Sequence, residues 1–152
     1  MLFNCFLHGM GRFQHDSMGF LANHMARLFA SALHRALAPL GLAPAQFMVL
    51  LELWEKDGRT QSDLVGALDV EQATMANTLK RMERDGLIAR RASETDARSR
   101  VVVLTDKARA LEQRAKAEAA RVNAAAFEGM DAPEQEALRA QIRAVIANLR
   151  SA

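Results

Sequence analysis

The sequence predicts a mainly α-helical chain with one small β-hairpin set into it. Three observations carry that prediction. Apolar residues recur at helical spacing over most of the chain. Between Thr60 and Thr105, two short helical patterns run directly into two β-branched runs. A charged loop, Ser93 to Ser99, joins those runs.

Met18 to Leu40 reads as the first long helix, because Leu21, Met25, Leu28, Phe29, Ala32, Leu33, Ala36 and Leu37 keep the helical period. Pro39 and Gly41 stop it, and Pro44 opens the next helix in the first turn, where proline is tolerated. In Ala45 to Lys56, the residues Phe47, Leu50, Leu51 and Trp54 form an apolar stripe. Asp57-Gly58 is a turn. Thr60 is an N-cap for a short helix, with Asp63 placed to complete a capping box and Leu64, Val65 and Leu68 supplying its buried side. Asp69-Val70 ends that helix. Glu71 opens the next with its charge near the positive end of the helix dipole.

The helix Glu71 to Asp85 has a divided surface. Met75, Leu79 and Met82 make one buried stripe, while Ala73, Thr74, Asn77, Lys80, Arg81 and Arg84 lie opposite. Small and amide-bearing residues come first and cations later, an order that suits entry into a DNA major groove by the N-terminal half. Amides and hydroxyls match base edges, and Lys and Arg neutralise phosphates. The plainer reading is a solvated helix face with scattered charge. Gly86 closes the helix, and Leu87 to Arg91 with Arg100 to Leu104 form the hairpin. A basic hairpin beside such a helix is a wing. Asp96 is placed to tie its loop by an ion pair, leaving Arg98 to reach a minor groove, where negative potential concentrates.

Thr105 caps a long alanine-rich helix through about Phe127, with Leu104, Ala108, Leu111, Ala115 and Val122 on one face. Gly129 breaks it. Asp131 caps a last helix with Glu134 at the capping-box position, and Leu138, Ile142, Val145, Ile146 and Leu149 give that helix an apolar side. A terminal stripe of this strength requires cover, which a second copy of the chain supplies together with the Met18 helix.

Composition bounds the function. The chain has 152 residues, half of them hydrophobic and a quarter charged, enough for one soluble unit with a core. Its formal net charge is only +2. From Lys80 to Arg100 there are seven basic residues and four acids, so 7 minus 4 gives +3 in that stretch alone. Positive charge is therefore gathered where the divided helix and hairpin lie. Cys5 is the single cysteine, which excludes an internal disulfide and fits a reducing cytoplasm. No apolar run approaches a membrane span, and MLFNCFLHGM lacks the leading basic region and cleavage site of a signal peptide. Residues 1–17 read as an N-terminal extension, with Met10 and Met18 as alternative starts.

In RMERDGLIAR (Arg81 to Arg90), DARSR (Asp96 to Arg100) and VVVLTDKA (Val101 to Ala108), the chain resembles the MarR family of bacterial transcriptional regulators. The resemblance spans about Leu37 to Leu111. The family commonly has a hydroxyl residue just before Pro44, where this chain has Ala43. The resemblance implies a dimeric winged helix-turn-helix, usually a repressor released by a small ligand or by oxidation. On that basis residues 44–104 form the DNA-binding domain, and residues 18–43 with 105–152 form a helical dimerisation region. The expected DNA contacts are Gln61, Ser62, Gln72, Thr74, Asn77, Thr78, Lys80, Arg81, Arg98 and Arg100 on a pseudopalindromic double-stranded operator. Relatives often bind small aromatic or lipophilic effectors between dimer base and winged domain. His24, Arg27, Leu28, Phe47 and Trp54 are the expected lining, although packing accounts for each singly.

Other chemistry is poorly supplied. There is no H-E-x-x-H, Walker loop, G-x-S-x-G or paired-cysteine motif, so neither an enzyme, a cofactor nor a metal is expected. Cys5 with His8, His15 and His24 is a dispersed set for a metal. Cys5 also lies far upstream of the first helix, and the chain has no tyrosine, which disfavours the family's peroxide-sensing arrangement. The competing function is a winged-helix protein-interaction module, which salt-insensitive or absent DNA binding would favour.

Overall fold

The computed structural model describes residues 13–93 and 98–152. In order, the elements are α1 (Phe13–Asp16), α2 (Met18–Leu37), a 3-10 turn (Ala38–Leu40), α3 (Pro44–Glu55), β1 (Arg59–Thr60), α4 (Gln61–Leu68), α5 (Gln72–Arg84), β2 (Ile88–Ala92), β3 (Arg100–Leu104), α6 (Asp106–Ala126) and α7 (Ala132–Ser151). The mainly α class with a hairpin wing is what the sequence predicts. Cys5, Glu94, Asp96 and most of the N-terminal extension lie outside the described residues.

The caps follow the sequence. Ser17 accepts from the Phe20 N–H at 3.3 Å and starts α2. Ala43 has no side-chain acceptor to cap α3, so the helix keeps only the returning half of a capping box: the Ala43 N–H donates to Gln46 Oε1 at 3.0 Å. Gln46, itself buried, then donates from Nε2 to Asp85 Oδ2 at 2.8 Å and joins the start of α3 to the end of α5. Thr105 and Asp131 cap α6 and α7, accepting from Ala108 and Glu134 backbone N–H groups.

One continuous core joins α2, α3, α4, α5, the sheet and α6, centred on Leu37, Leu50, Leu53, Leu64, Leu79 and Met82. The stripe of α3 is rotated from the expected one. Phe47 and Leu50 are buried, but Val49 and Leu53 complete the buried set, while Leu51 and Trp54 are half-buried. The reason is that α3 packs on several elements at once, so its buried arc is wider than one stripe. The sheet has three strands in the order β1-β3-β2, with β3 in the middle. β2 pairs antiparallel with β3 from Ile88↔Leu104 to Ala92↔Arg100, and β1 pairs through Arg59↔Val102 and Thr60↔Val101.

Outside this head, α2 packs along α6, and Phe29 meets Phe127 with ring centroids 5.8 Å apart. α7 has no buried residue. Its Ile142, Val145, Ile146 and Leu149 are exposed, as are Phe20, Leu21, Met25 and Leu28 on α2. No single helix among the described residues is long and apolar enough to cross a membrane.

Candidate nucleic-acid interface

The candidate interface is built from α4, α5 and the β2–β3 hairpin. Its base is the start of α4. Thr60 Oγ1 accepts from the Asp63 N–H at 3.1 Å, and Asp63 Oδ2 accepts from the Thr60 N–H at 2.9 Å, closing the expected capping box. Hydrogen bonding to Thr60, through its side chain first and its backbone second, holds the Asp63 carboxyl below the usual carboxylate value. The turn between α4 and α5 passes through Asp69, the one non-glycine residue with positive φ (50°) among the described residues. Aspartate tolerates that left-handed geometry better than most side chains. Asp69 Oδ2 also accepts from Arg150 Nε at 2.8 Å, so the turn is tied to the end of α7.

α5 divides as its sequence pattern requires. Met75, Leu79 and Met82 are at most 2% exposed, while Gln72, Ala73, Thr74, Asn77, Lys80, Arg81 and Arg84 face outward. The buried seam fixes the roll of the helix, and the roll decides which side chains reach a groove. Thr78 is a correction. It is only 3% exposed, and its hydroxyl donates to the Thr74 carbonyl at 3.0 Å, so it belongs to the core side of α5 and has no donor left for a base. Glu71 stands at the N-cap but makes no side-chain capping bond. On α4, Ser62 is exposed and Gln61 is half-buried, with Gln61 Nε2 donating to Gln72 Oε1 at 3.2 Å.

The cations differ in availability. Arg84 Nε pairs with Asp85 Oδ1 at 3.0 Å, and Arg90 lies 3.7 Å from Glu83. Lys80 and Arg81 have no ion pair among the described residues. Hydrogen bonds from Arg84 and then from Gln46 hold the Asp85 carboxyl below its usual value. Arg98 and Arg100 are exposed at the C-terminal side of the wing loop. The Ser93 N–H donates to the Ser99 carbonyl at 2.9 Å and closes that loop's base. The expected tie from Asp96 lies outside the described residues.

The head is clamped to α6. Gly86, at φ 70°, reverses the chain after α5, and the Leu87 N–H returns to the Met82 carbonyl at 2.9 Å. The Thr105 hydroxyl donates to the Gly86 carbonyl at 2.7 Å. Asp57 binds on two sides: Oδ1 accepts from the Leu104 N–H at 3.0 Å, and Oδ2 accepts from Arg109 at 2.6 Å. Trp54 Nε1 donates to the Ala108 carbonyl at 3.1 Å. The sequence showed Asp57 only as a turn residue, because its partners lie 47 and 52 positions away.

A cleft of about 420 Å³ opens where α2, α3 and α6 meet, with Leu33, Phe47, Met48, Leu51, Lys116 and Asn123 in its walls. Of the five residues expected to line an effector pocket, only Phe47 lies in the walls of this cleft. Trp54 stands beside it, ring centroids 6.1 Å apart, with the Lys116 ammonium 5.7 Å from the Trp54 ring centre. His24, Arg27 and Leu28 are exposed on α2 and do not line the cleft, because they lie up-chain of Leu33, the α2 residue at its wall. Lys116 was missed: nothing in an alanine-rich helix marks which lysine will sit over α3. Among the described residues no group of His, Cys, Asp and Glu is arranged to hold a metal ion.

Comparison with known proteins agrees with this geometry. Residues 42–99 match the MarR family. The HTH-type transcriptional repressor Rv2887 of Mycobacterium tuberculosis is 30% identical over 126 residues, covering 83% of this chain and 91% of that protein. The uncharacterized HTH-type transcriptional regulator YwoH of Bacillus subtilis is 40% identical over 86 residues, which is 57% of this chain and 62% of that relative's length. Among solved structures, Bordetella bronchiseptica BpsR, described for regulation of its DNA binding by 6-hydroxynicotinic acid, superposes with a TM-score of 0.81 at 25% identity, covering 90% of this chain and 97% of that one.

Proposed function

This chain belongs to the MarR family, and we propose that it is a ligand-responsive, DNA-binding transcriptional repressor acting as a homodimer on a pseudopalindromic operator. One observation carries the reading. The seam of Met75, Leu79 and Met82 turns Thr74 and Asn77 outward on the same face as Lys80 and Arg81, with Gln72 exposed at the first turn of the helix. A hydroxyl and an amide precede the cations along that face, so base edges meet the first turns while phosphates meet the later ones. Arg98 and Arg100 extend the cationic surface onto the wing. The protein is a regulator and not an enzyme, and it works in the cytoplasm where its DNA is.

The exposed apolar residues of α2 and α7 support the dimer. A second copy laid against them buries what a single copy leaves in water, and its two-fold axis places two α5 helices about one DNA turn apart. The cleft beside Phe47 supports a small aromatic or lipophilic effector, with Lys116 as the charge partner for an acid.

The test is selection of bound fragments from a genomic DNA pool, followed by titration of the purified chain on the selected site and on its scrambled version. Two related half-sites with centres about 10 bp apart are expected. Equal affinity for both sequences refutes the reading.

A further inference from the structure

We propose that Gln61 is a positioning residue for base recognition, locking the Gln72 side-chain amide in the orientation that reads adenine. The inference rests on the DNA-binding reading above and goes one step further, to a base identity and a residue that sets it. Gln61 is the first residue of α4 and Gln72 the first residue of α5. Gln61 Nε2 donates to Gln72 Oε1 at 3.2 Å, and Gln72 is exposed. Both helices are held in place beneath this pair, α4 by Leu64 and the Thr60–Asp63 capping box, α5 by Met75.

A glutamine amide carries an oxygen with two acceptor positions and a nitrogen with two donors. Its last torsion is broad and roughly two-fold, so an unrestrained amide shows a base either end. The N–H from Gln61 restricts that freedom, because the Gln72 amide then turns over only if the Gln61 amide turns with it. It occupies one acceptor position on Oε1 and so fixes which end of the Gln72 amide is oxygen. One acceptor position and both Nε2 donors remain for DNA.

In the major groove adenine places an N6 donor beside the N7 acceptor, which matches that remaining pair bidentately. Guanine places two acceptors, N7 and O6, in the same position, so the fixed oxygen would face O6 lone pair to lone pair. A freely turning amide evades that clash at no cost, whereas one paired with Gln61 does so only by turning both amides over. Gln61 thus sets specificity without touching a base.

The experiment uses the full chain on its selected operator and on that operator with each base pair changed in turn. The unsubstituted protein is expected to prefer adenine over guanine at one position in each half-site by about 5- to 150-fold. Gln72→Ala removes that preference. Gln61→Ala keeps the fold, checked by thermal melting, and lowers the adenine-to-guanine ratio at that position alone. Gln61→Glu is nearly isosteric, and its carboxylate only accepts. It therefore captures Nε2, turns the Gln72 amide over and abolishes the adenine preference, while its added charge weakens all sequences alike. An adenine preference that vanishes with Gln72→Ala but survives both Gln61 substitutions overturns the positioning role and leaves DNA reading intact. Absence of any Gln72-dependent adenine position overturns the inference too. A chain that selects no site at all overturns the DNA-binding reading instead.

Discussion

Replacing Arg81 with alanine should flatten the salt dependence of operator binding by about two units, and the geometry fixes that size. Arg81 is exposed on the outward face of α5 and has no ion pair among the described residues. Each phosphate it neutralises releases condensed counterions, worth about 0.9 in the slope of log affinity against log salt on duplex DNA. The proposed dimer loses the contact twice, so the slope should change by ~1.8. Over a fourfold rise, from about 50 to 200 mM, wild-type affinity should then fall roughly twelve-fold further than that of the variant. Arg84 is the internal control. Its guanidinium is engaged by Asp85 at 3.0 Å, so Arg84→Ala should change the slope by less than half as much. Fluorescence anisotropy titrations of a labelled operator across that salt range measure both slopes. An Arg81→Ala slope equal to wild type, or one no different from Arg84→Ala, refutes the assignment of Arg81 to a phosphate.

Other perturbations have equally definite outcomes. Asn77→Ala should cost about 1–3 kcal/mol at one base pair and leave affinity for random DNA unchanged, as read by competition with single-base operator variants. Thr60→Ala should lower unfolding stability by about 1 kcal/mol in a urea titration, because the Asp63 N–H at the start of α4 loses its acceptor. The same variant should respond less to acid. The Asp63 carboxyl is depressed in the fold, so its contribution is present above its unfolded value near 3.9 and is lost as pH falls through the lower folded value. A wild-type acid limb no steeper than that of Thr60→Ala would count against the capping box as a source of stability. Ile146→Glu should convert the proposed dimer to monomers in analytical ultracentrifugation and abolish tight operator binding, since Ile146 is 43% exposed in one copy and lies on the surface proposed to meet the second.

The parts of this fold that the sequence made legible are those set by contacts close along the chain. Thr60 with Asp63, and Asp131 with Glu134, are three residues apart, and a capping box is a purely local object. The seam of α5 was legible because one helix face meets one core. Features set at long range were hidden. β1 is two residues long and acquires its identity only by pairing with β3, some 40 positions later. Thr78 carries a hydroxyl and follows Asn77, which made it look like a reading residue, but four residues after Thr74 its side chain turns back onto its own helix. The lining of the cleft was hidden for a related reason. Apolar periodicity says that α2 has a buried side, but not which turn of α2 lies opposite α3. Leu33 does, and His24, Arg27 and Leu28 come earlier on the helix. Lys116 enters the cleft where α6 crosses α3, a long-range crossing at which the Trp54 indole donates to the Ala108 carbonyl.

That same set of cross-links bears on how an effector would act on DNA. The end of α3, the start of β1 and the first turns of α6 are joined by Trp54 to Ala108 and by Asp57 to both Leu104 and Arg109. The Thr105 hydroxyl and the Lys107 ammonium likewise donate to the Gly86 and Asp85 carbonyls at the end of α5, so a displacement of α6 acts on the sheet and on α5 together. In the proposed dimer, α6 is also the rod between the reading head and the apolar surfaces that meet the second copy, so a wedge between α2, α3 and α6 changes the separation of the two α5 helices. The energy needed is modest. A hundred-fold loss of operator affinity is about 2.7 kcal/mol of differential binding between the two separations. Burying about 100 Å² of apolar ligand surface in one state and not the other supplies roughly that amount. A cleft of about 420 Å³ walled by Leu33, Phe47, Met48 and Leu51 is large enough to do so, with the reading face of α5 untouched.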